Sequence, residues 1–245
     1  MMAPPSLTLP HKGGGNAPTN SLALDGGRVG VGVSVAQLSR LPSPRLLVIT
    51  DRLSCRGDVI DVVAAAFAGG ARWAMLREKD LPRGEVLALA KRLVQAGKPY
   101  NATVLVNGDV EIAVEAGAAG VHLPQGQPVE KARRIAGAQA LIGVSAHSLE
   151  EVRAAAADGA DYATLSPIFR TESKPGYGPA LGIEALRAVA REVALPLVAL
   201  AGVTATNARL CIDSGAAGVA AMGSIMRSSD PKATVSALIG ALGKR

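Results

Sequence analysis

The chain has 245 residues, 49% of them hydrophobic and only 2% aromatic, with a formal net charge of +6. So few rings exclude a core built on aromatic stacking; many small branched side chains suit a parallel sheet covered by helices. The basic residues are spread along the chain, with no cationic run interleaved with stacking aromatics, which argues against nucleic-acid binding. A protein that holds phosphorylated small molecules accounts for the positive sign equally well. Cys55 and Cys211 form no metal-ligand or redox spacing, so two free thiols in a reducing compartment are expected. No apolar run reaches membrane-spanning length and no secretion signal opens the chain, so a cytoplasmic protein with no membrane partner is expected.

Residues 1–44 carry Pro4-Pro5, Gly13-Gly14-Gly15 and Gly26-Gly27, with no sustained helical or strand period. They read as a low-complexity, disordered extension without chemistry. From Arg45 to the C-terminus one rhythm repeats. Strands are predicted at 46–51, 71–79, 103–107, 120–123, 141–145, 162–167, 196–201 and 218–222. Helices are predicted at 58–68, 83–96, 109–116, 129–136, 149–158, 183–192, 205–214 and 231–242. Glycines after several helices (Gly69-Gly70, Gly97, Gly117, Gly159, Gly215) read as left-handed caps, and Ser148 with Glu151 as a capping box. Eight strand–helix pairs over residues 45–245 predict a single (β/α)8 TIM barrel; an open doubly wound sheet is the alternative.

Chemistry in such a barrel sits at the C-terminal strand ends. The second strand ends Met75-Leu76-Arg77-Glu78-Lys79, and alternation points Arg77 and Lys79 to one face and Glu78 to the other. Two cations gathered inside a barrel mouth require anions. The third strand ends at Asn107, the fourth carries His122, and the fifth ends Ser145-Ala146-His147. Gly202 and Gly223-Ser224, after strands seven and eight, stand where barrels commonly hold phosphate. The long sixth loop offers Thr171, Ser173 and Lys174, which suit a lid over a second anion. Ser145 lacks the nucleophile-elbow pattern and reads as a hydrogen-bonding group. Either His122 or His147 suits proton transfer near neutral pH.

Leu47-Val48-Ile49-Thr50-Asp51, Leu76-Arg77-Glu78-Lys79, Val106-Asn107, Gly120-Val121-His122-Leu123, Gly143-Val144-Ser145-Ala146-His147, Thr171-Glu172-Ser173-Lys174 and Ala201-Gly202-Val203-Thr204, in this order, resemble the thiamin phosphate synthase superfamily, including its TenI-type thiazole tautomerase branch. The resemblance implies a barrel acting on a thiazole phosphate and, in the synthases, on a magnesium-bound pyrimidine pyrophosphate. It implies that Arg77, Lys79, Asn107 and Lys174 address the pyrophosphate, that Ser145 lies near the pyrimidine, and that Gly202 and Ser224 lie near the thiazole phosphate. A homo-oligomer is left open.

The chain departs from the synthase pattern. Gly108 follows Asn107 where synthases carry Asp, and Gln127 stands where a second Asp is usual, so both magnesium carboxylates are replaced. Asp109 is one residue late. The expected activity therefore leans to TenI-type tautomerisation, which needs no metal, with His122, His147 and Lys174 as catalytic candidates. The synthase, with Mg2+ and Asp109 as its one available ligand, is the runner-up. A non-catalytic thiazole- or thiamin-phosphate sensor is the third reading.

Overall fold

The computed structural model describes residues 32–171 and 179–243. Eight strands form one closed parallel sheet in chain order: β1 (Leu46–Ile49), β2 (Trp73–Leu76), β3 (Thr103–Asn107), β4 (Gly120–Leu123), β5 (Leu141–Ala146), β6 (Tyr162–Leu165), β7 (Leu197–Ala199) and β8 (Gly218–Ala221). Leu47 pairs with Ala220, which seals β1 to β8. The predicted TIM barrel is the observed fold.

Alternation sorts each strand between two cores. Leu47, Ile49, Trp73, Met75, Leu105, Leu141, Tyr162 and Val198 pack inside the barrel. Their neighbours, such as Leu46, Val48, Ala74, Leu76, Val104 and Val106, pack outward against the helices. The outer layer holds α2 (Val59–Ala68), α3 (Arg83–Gly97), α4 (Val110–Glu115), α5 (Val129–Ala136), α6 (Leu149–Ala157), α7 (Gly182–Glu192), α8 (Ala208–Asp213) and α10 (Pro231–Leu242).

Two short helices were not expected: α1 (Val35–Ser39) and α9 (Gly223–Met226). Helix α1 opens on a capping box between Ser34 and Gln37. It lies within the stretch read as a featureless extension, yet Leu41 just beyond it is 5% exposed and joins the inner core. Gln37 donates to the Ala194 carbonyl at 2.6 Å, and Arg40 pairs with Asp161 at 3.0 Å. A window-based reading misses such a segment because its order comes from these distant partners. Residues 1–31, the rest of that extension, lie outside the described residues.

Local details also differ. Strand β2 is shorter than 71–79, so Arg77 and Lys79 follow the strand rather than sit in it. Gly97 ends α3 in helical conformation; a 3-10 turn, Lys98–Tyr100, follows, and Asn101 takes the left-handed position at φ 49°. Gly117, Gly159 and Gly215 do adopt positive φ, as caps require. Ser148 caps α6 by accepting from Glu151 N–H at 3.2 Å, but Glu151 reaches back to His147 rather than to Ser148. Cys55 and Cys211 are unbridged, and burial pushes both thiols up to about 11.

The barrel interior is tightest where Trp73 and Tyr162 meet edge to face, with ring centroids 4.9 Å apart. Both side chains are fully buried. Gly143 pairs with Tyr162 across β5 and β6, and a Cβ at Gly143 would overlap the phenol ring and hydroxyl. Gly143→Ala is therefore expected to destabilise the fold by about 1–3 kcal/mol, the usual cost of overpacking a filled core. Urea denaturation at neutral pH measures this, and an unchanged midpoint would contradict the packing account.

Candidate active site at the C-terminal mouth

A cavity of about 620 Å³ opens at the C-terminal ends of the strands. Ile49 and Met75 contribute apolar surface to it. Of the residues singled out in the sequence, Arg77, Lys79, Asn107, His122, Ser145, His147, Thr171, Gly202 and Ser224 all line it. Ser173 and Lys174 lie outside the described residues. Sequence reasoning missed Arg170, Arg227 and Gln125, which also line the cavity. Two signals pointed to Arg170: its cationic side chain and its place beside Thr171.

Arg77 is held by its own backbone. Its N–H donates to the buried Thr50 hydroxyl at 2.8 Å, while Thr50 N–H donates to the Met75 carbonyl at 3.0 Å. Glu78 points the other way, as alternation predicts, and is buried. Its two carboxylate oxygens accept from Arg52 N–H at 3.2 Å each. Burial raises the Glu78 pKa, partly opposed by hydrogen bonds from Thr50 and Arg52. The acid nearest Arg77 in sequence is thus withdrawn from the cavity. Among the described residues, no carboxylate lines the cavity, and Arg77, Lys79 and Arg170 have no ion-pair partner. Such an arrangement attracts a multiply charged anion.

The two histidines differ. His122 is buried, with Nδ1 3.0 Å from the Tyr162 hydroxyl, Nε2 3.0 Å from Ser145 Oγ and 3.4 Å from Thr164 Oγ1. Burial, and then the Arg77 guanidinium, lower its pKa to about 3. Both causes favour the neutral imidazole, which opposes the acid–base role near neutral pH expected of His122 from the sequence. His147 is half-buried, and its Nδ1 and backbone N–H lie 3.1 and 2.6 Å from Glu151 Oε2.

On the opposite rim, Ala201 and Gly202 both have positive φ, 79° and 66°. A Cβ at Gly202 would lie 2.5 Å from the Arg170 carbonyl oxygen and 2.6 Å from Phe169 Cβ. This glycine lets the seventh loop pass against the sixth. Gly223 and Ser224 open α9, whose first N–H groups have no acceptor within the helix.

The residues offered for magnesium do not fit it. Asp109 caps α4, accepting from Ile112 N–H at 2.8 Å, and faces Arg83 at 3.4 Å. It does not line the cavity, and neither does Gln127. Among the described residues, no group of three or more His, Cys, Asp or Glu side chains is placed to hold a metal ion.

A closed β/α barrel whose mouth is rimmed by cations, hydroxyls and a glycine turn has the features by which such barrels commonly hold phosphate. Residues 46–225 match the thiamine monophosphate synthase family. The chain belongs to this family of enzymes. A putative thiamine-phosphate synthase of Geobacter sulfurreducens is 42% identical over 202 residues, 82% of this chain and 95% of that protein. The thiamine-phosphate synthase of Roseiflexus castenholzii is 37% identical, over 83% of this chain and 91% of its own length. The solved thiamine phosphate pyrophosphorylase of Pyrococcus furiosus superposes with a TM-score of 0.74 at 32% identity, covering 84% of this chain and 96% of that one.

Two outcomes follow. Since His122 binds its proton more weakly folded (about 3) than unfolded (about 6.5), the unfolded state takes up a proton between those values. Its contribution to stability is whole above pH 6.5 and falls as pH drops towards 3, by about 1.4 kcal/mol per unit. Chemical denaturation from pH 7 to pH 4 should show a shallower decline for His122→Asn than for the parent protein. Asp109→Ala should cost about 1 kcal/mol through the lost helix cap. It should leave any magnesium dependence unchanged in a titration followed by melting temperature.

Proposed function

We propose that this chain is a thiamine phosphate synthase, joining a hydroxymethylpyrimidine pyrophosphate to a thiazole phosphate with release of pyrophosphate. The observation that carries the reading is the cavity lined by Arg77, Lys79 and Arg170 with no facing carboxylate among the described residues. The names of the relatives favour this activity over the tautomerase to which the replaced aspartates pointed.

In this reading the bond between the pyrimidine methylene carbon and the pyrophosphate oxygen breaks, and its electron pair leaves with pyrophosphate. The thiazole nitrogen lone pair then forms the new bond to that carbon. Arg77, Lys79 and Arg170 stabilise the charge that grows on the departing group, and Asn107 donates beside them. The half-open cavity holds the two rings against each other, which lowers the entropic part of the barrier. The thiazole phosphate is assigned to Gly202, Gly223 and Ser224 at the ends of β7 and β8. The magnesium implied for synthases finds no suitable donor set in the described residues, so no step is assigned to a metal.

The tautomerase remains the second reading on one observation: His147 is half-buried, lines the cavity and is held by Glu151.

Mixing the protein with both substrates, with and without magnesium, and following pyrophosphate release tests the proposal. Release is expected, and Arg77→Ala is expected to slow it by about 100-fold or more. Absence of release, with a thiazole carboxylate phosphate converted in a parallel NMR assay and that conversion lost in His147→Ala, would replace the synthase by the tautomerase.

A further inference from the structure

We propose that Tyr162 is a positioning residue that sets the direction of hydrogen bonding through His122, so that Ser145 presents its hydroxyl proton to an acceptor atom on the bound substrate. The ligand side of this inference rests on the synthase reading; the relay itself does not.

The direction follows from counting donors and acceptors. A phenol carries one proton to donate, and Tyr162 is fully buried with burial keeping that proton on. Among the described residues, the hydroxyl has one hydrogen-bond neighbour, His122 Nδ1 at 3.0 Å. The Trp73 indole packed on the same ring is a donor only, so it offers no alternative acceptor. If Nδ1 carried the imidazole proton, two donors would face each other, or the phenol proton would be left without an acceptor in the barrel core. Nδ1 must therefore accept, which puts the proton of the neutral ring on Nε2.

That proton then lies between Ser145 Oγ at 3.0 Å and Thr164 Oγ1 at 3.4 Å. The shorter contact makes Ser145 Oγ the acceptor. A serine hydroxyl that accepts from behind has its own proton to give, and Ser145 lines the cavity. The chain Tyr162 → His122 → Ser145 thus runs from the closed core to the open mouth. Its last member is a donor, aimed at a ligand atom with a free lone pair such as an unprotonated ring nitrogen. A ligand presenting a ring N–H there would meet donor against donor. The packing is close: a Cβ at Gly143 would overlap the Tyr162 ring, and Thr164 is buried beside the imidazole.

The test combines imidazole 15N shifts with kinetics. In the unliganded parent protein at neutral pH, His122 should show a protonated Nε2 and a bare Nδ1. In Tyr162→Phe the preference should be lost, with the two nitrogens moving towards averaged shifts. Thr164→Val should keep the parental pattern. A parental ring protonated at Nδ1, an unchanged pattern in Tyr162→Phe, or a switch in Thr164→Val would each overturn the relay. With the pyrimidine pyrophosphate as the varied substrate, Ser145→Ala and Tyr162→Phe should each raise KM about 10-fold with kcat changed far less. The double variant should be no worse than Ser145→Ala alone, because both act through one hydroxyl. Additive losses would overturn the link to the substrate. If the parent protein releases no pyrophosphate, the synthase reading fails, while the 15N arm still decides the relay.

Discussion

Closure of eight parallel strands into one sheet is the constraint on which everything else in this molecule depends. It removes the sheet edges and forces alternate side chains into a narrow interior. With few aromatics available, the chain places Trp73 and Tyr162 together there and makes room with Gly143. The same alternation, carried past the last hydrogen-bonded residue of β2, delivers Arg77 and Lys79 to the mouth and sends Glu78 behind the sheet. Core filling and site building are thus one geometric operation.

Electrostatics at the mouth follow from that sorting. The acids of the neighbourhood are engaged elsewhere: Glu78 with Arg52, Asp109 with the start of α4, and Glu151 with His147. The cations are left to face a partly apolar cavity, in which their fields are screened less than in bulk water. His122 stands in this positive field and in a closed environment, and both favour its uncharged form. A neutral imidazole between two hydroxyl groups transmits hydrogen-bond direction, a role different from acid–base catalysis.

The departures from the synthase pattern have a structural counterpart. Gly108 bends the chain at φ 83°, and the acid that follows it is spent on the helix cap. The carboxylate is retained in sequence but redirected by one residue, which on a tight turn is enough to move it out of the cavity. The positive charges around the cavity, including Arg170, stand in its place as the dominant electrostatic feature.

The sequence alone determined an alternating β/α fold, because eight short apolar, β-branched runs interleaved with amphipathic helices call for a parallel sheet covered by helices; closure into a barrel was favoured over an open sheet by the count of eight units. It also indicated which strand ends converge: of the named candidates in the described residues, all but Asp109 line one cavity. Tertiary structure decided the rest. The anchoring of α1 depends on Ala194 and Asp161, more than 100 residues away. The charge state of His122 depends on burial and on Arg77, which follows another strand. Tyr162 looked like ordinary core because its partner sits 40 residues earlier in the chain, and only closure brings the phenol within hydrogen-bonding distance of that imidazole. Periodicity is a local property and survives in one dimension; desolvation and hydrogen-bond direction are set by neighbours that exist only once the sheet has closed.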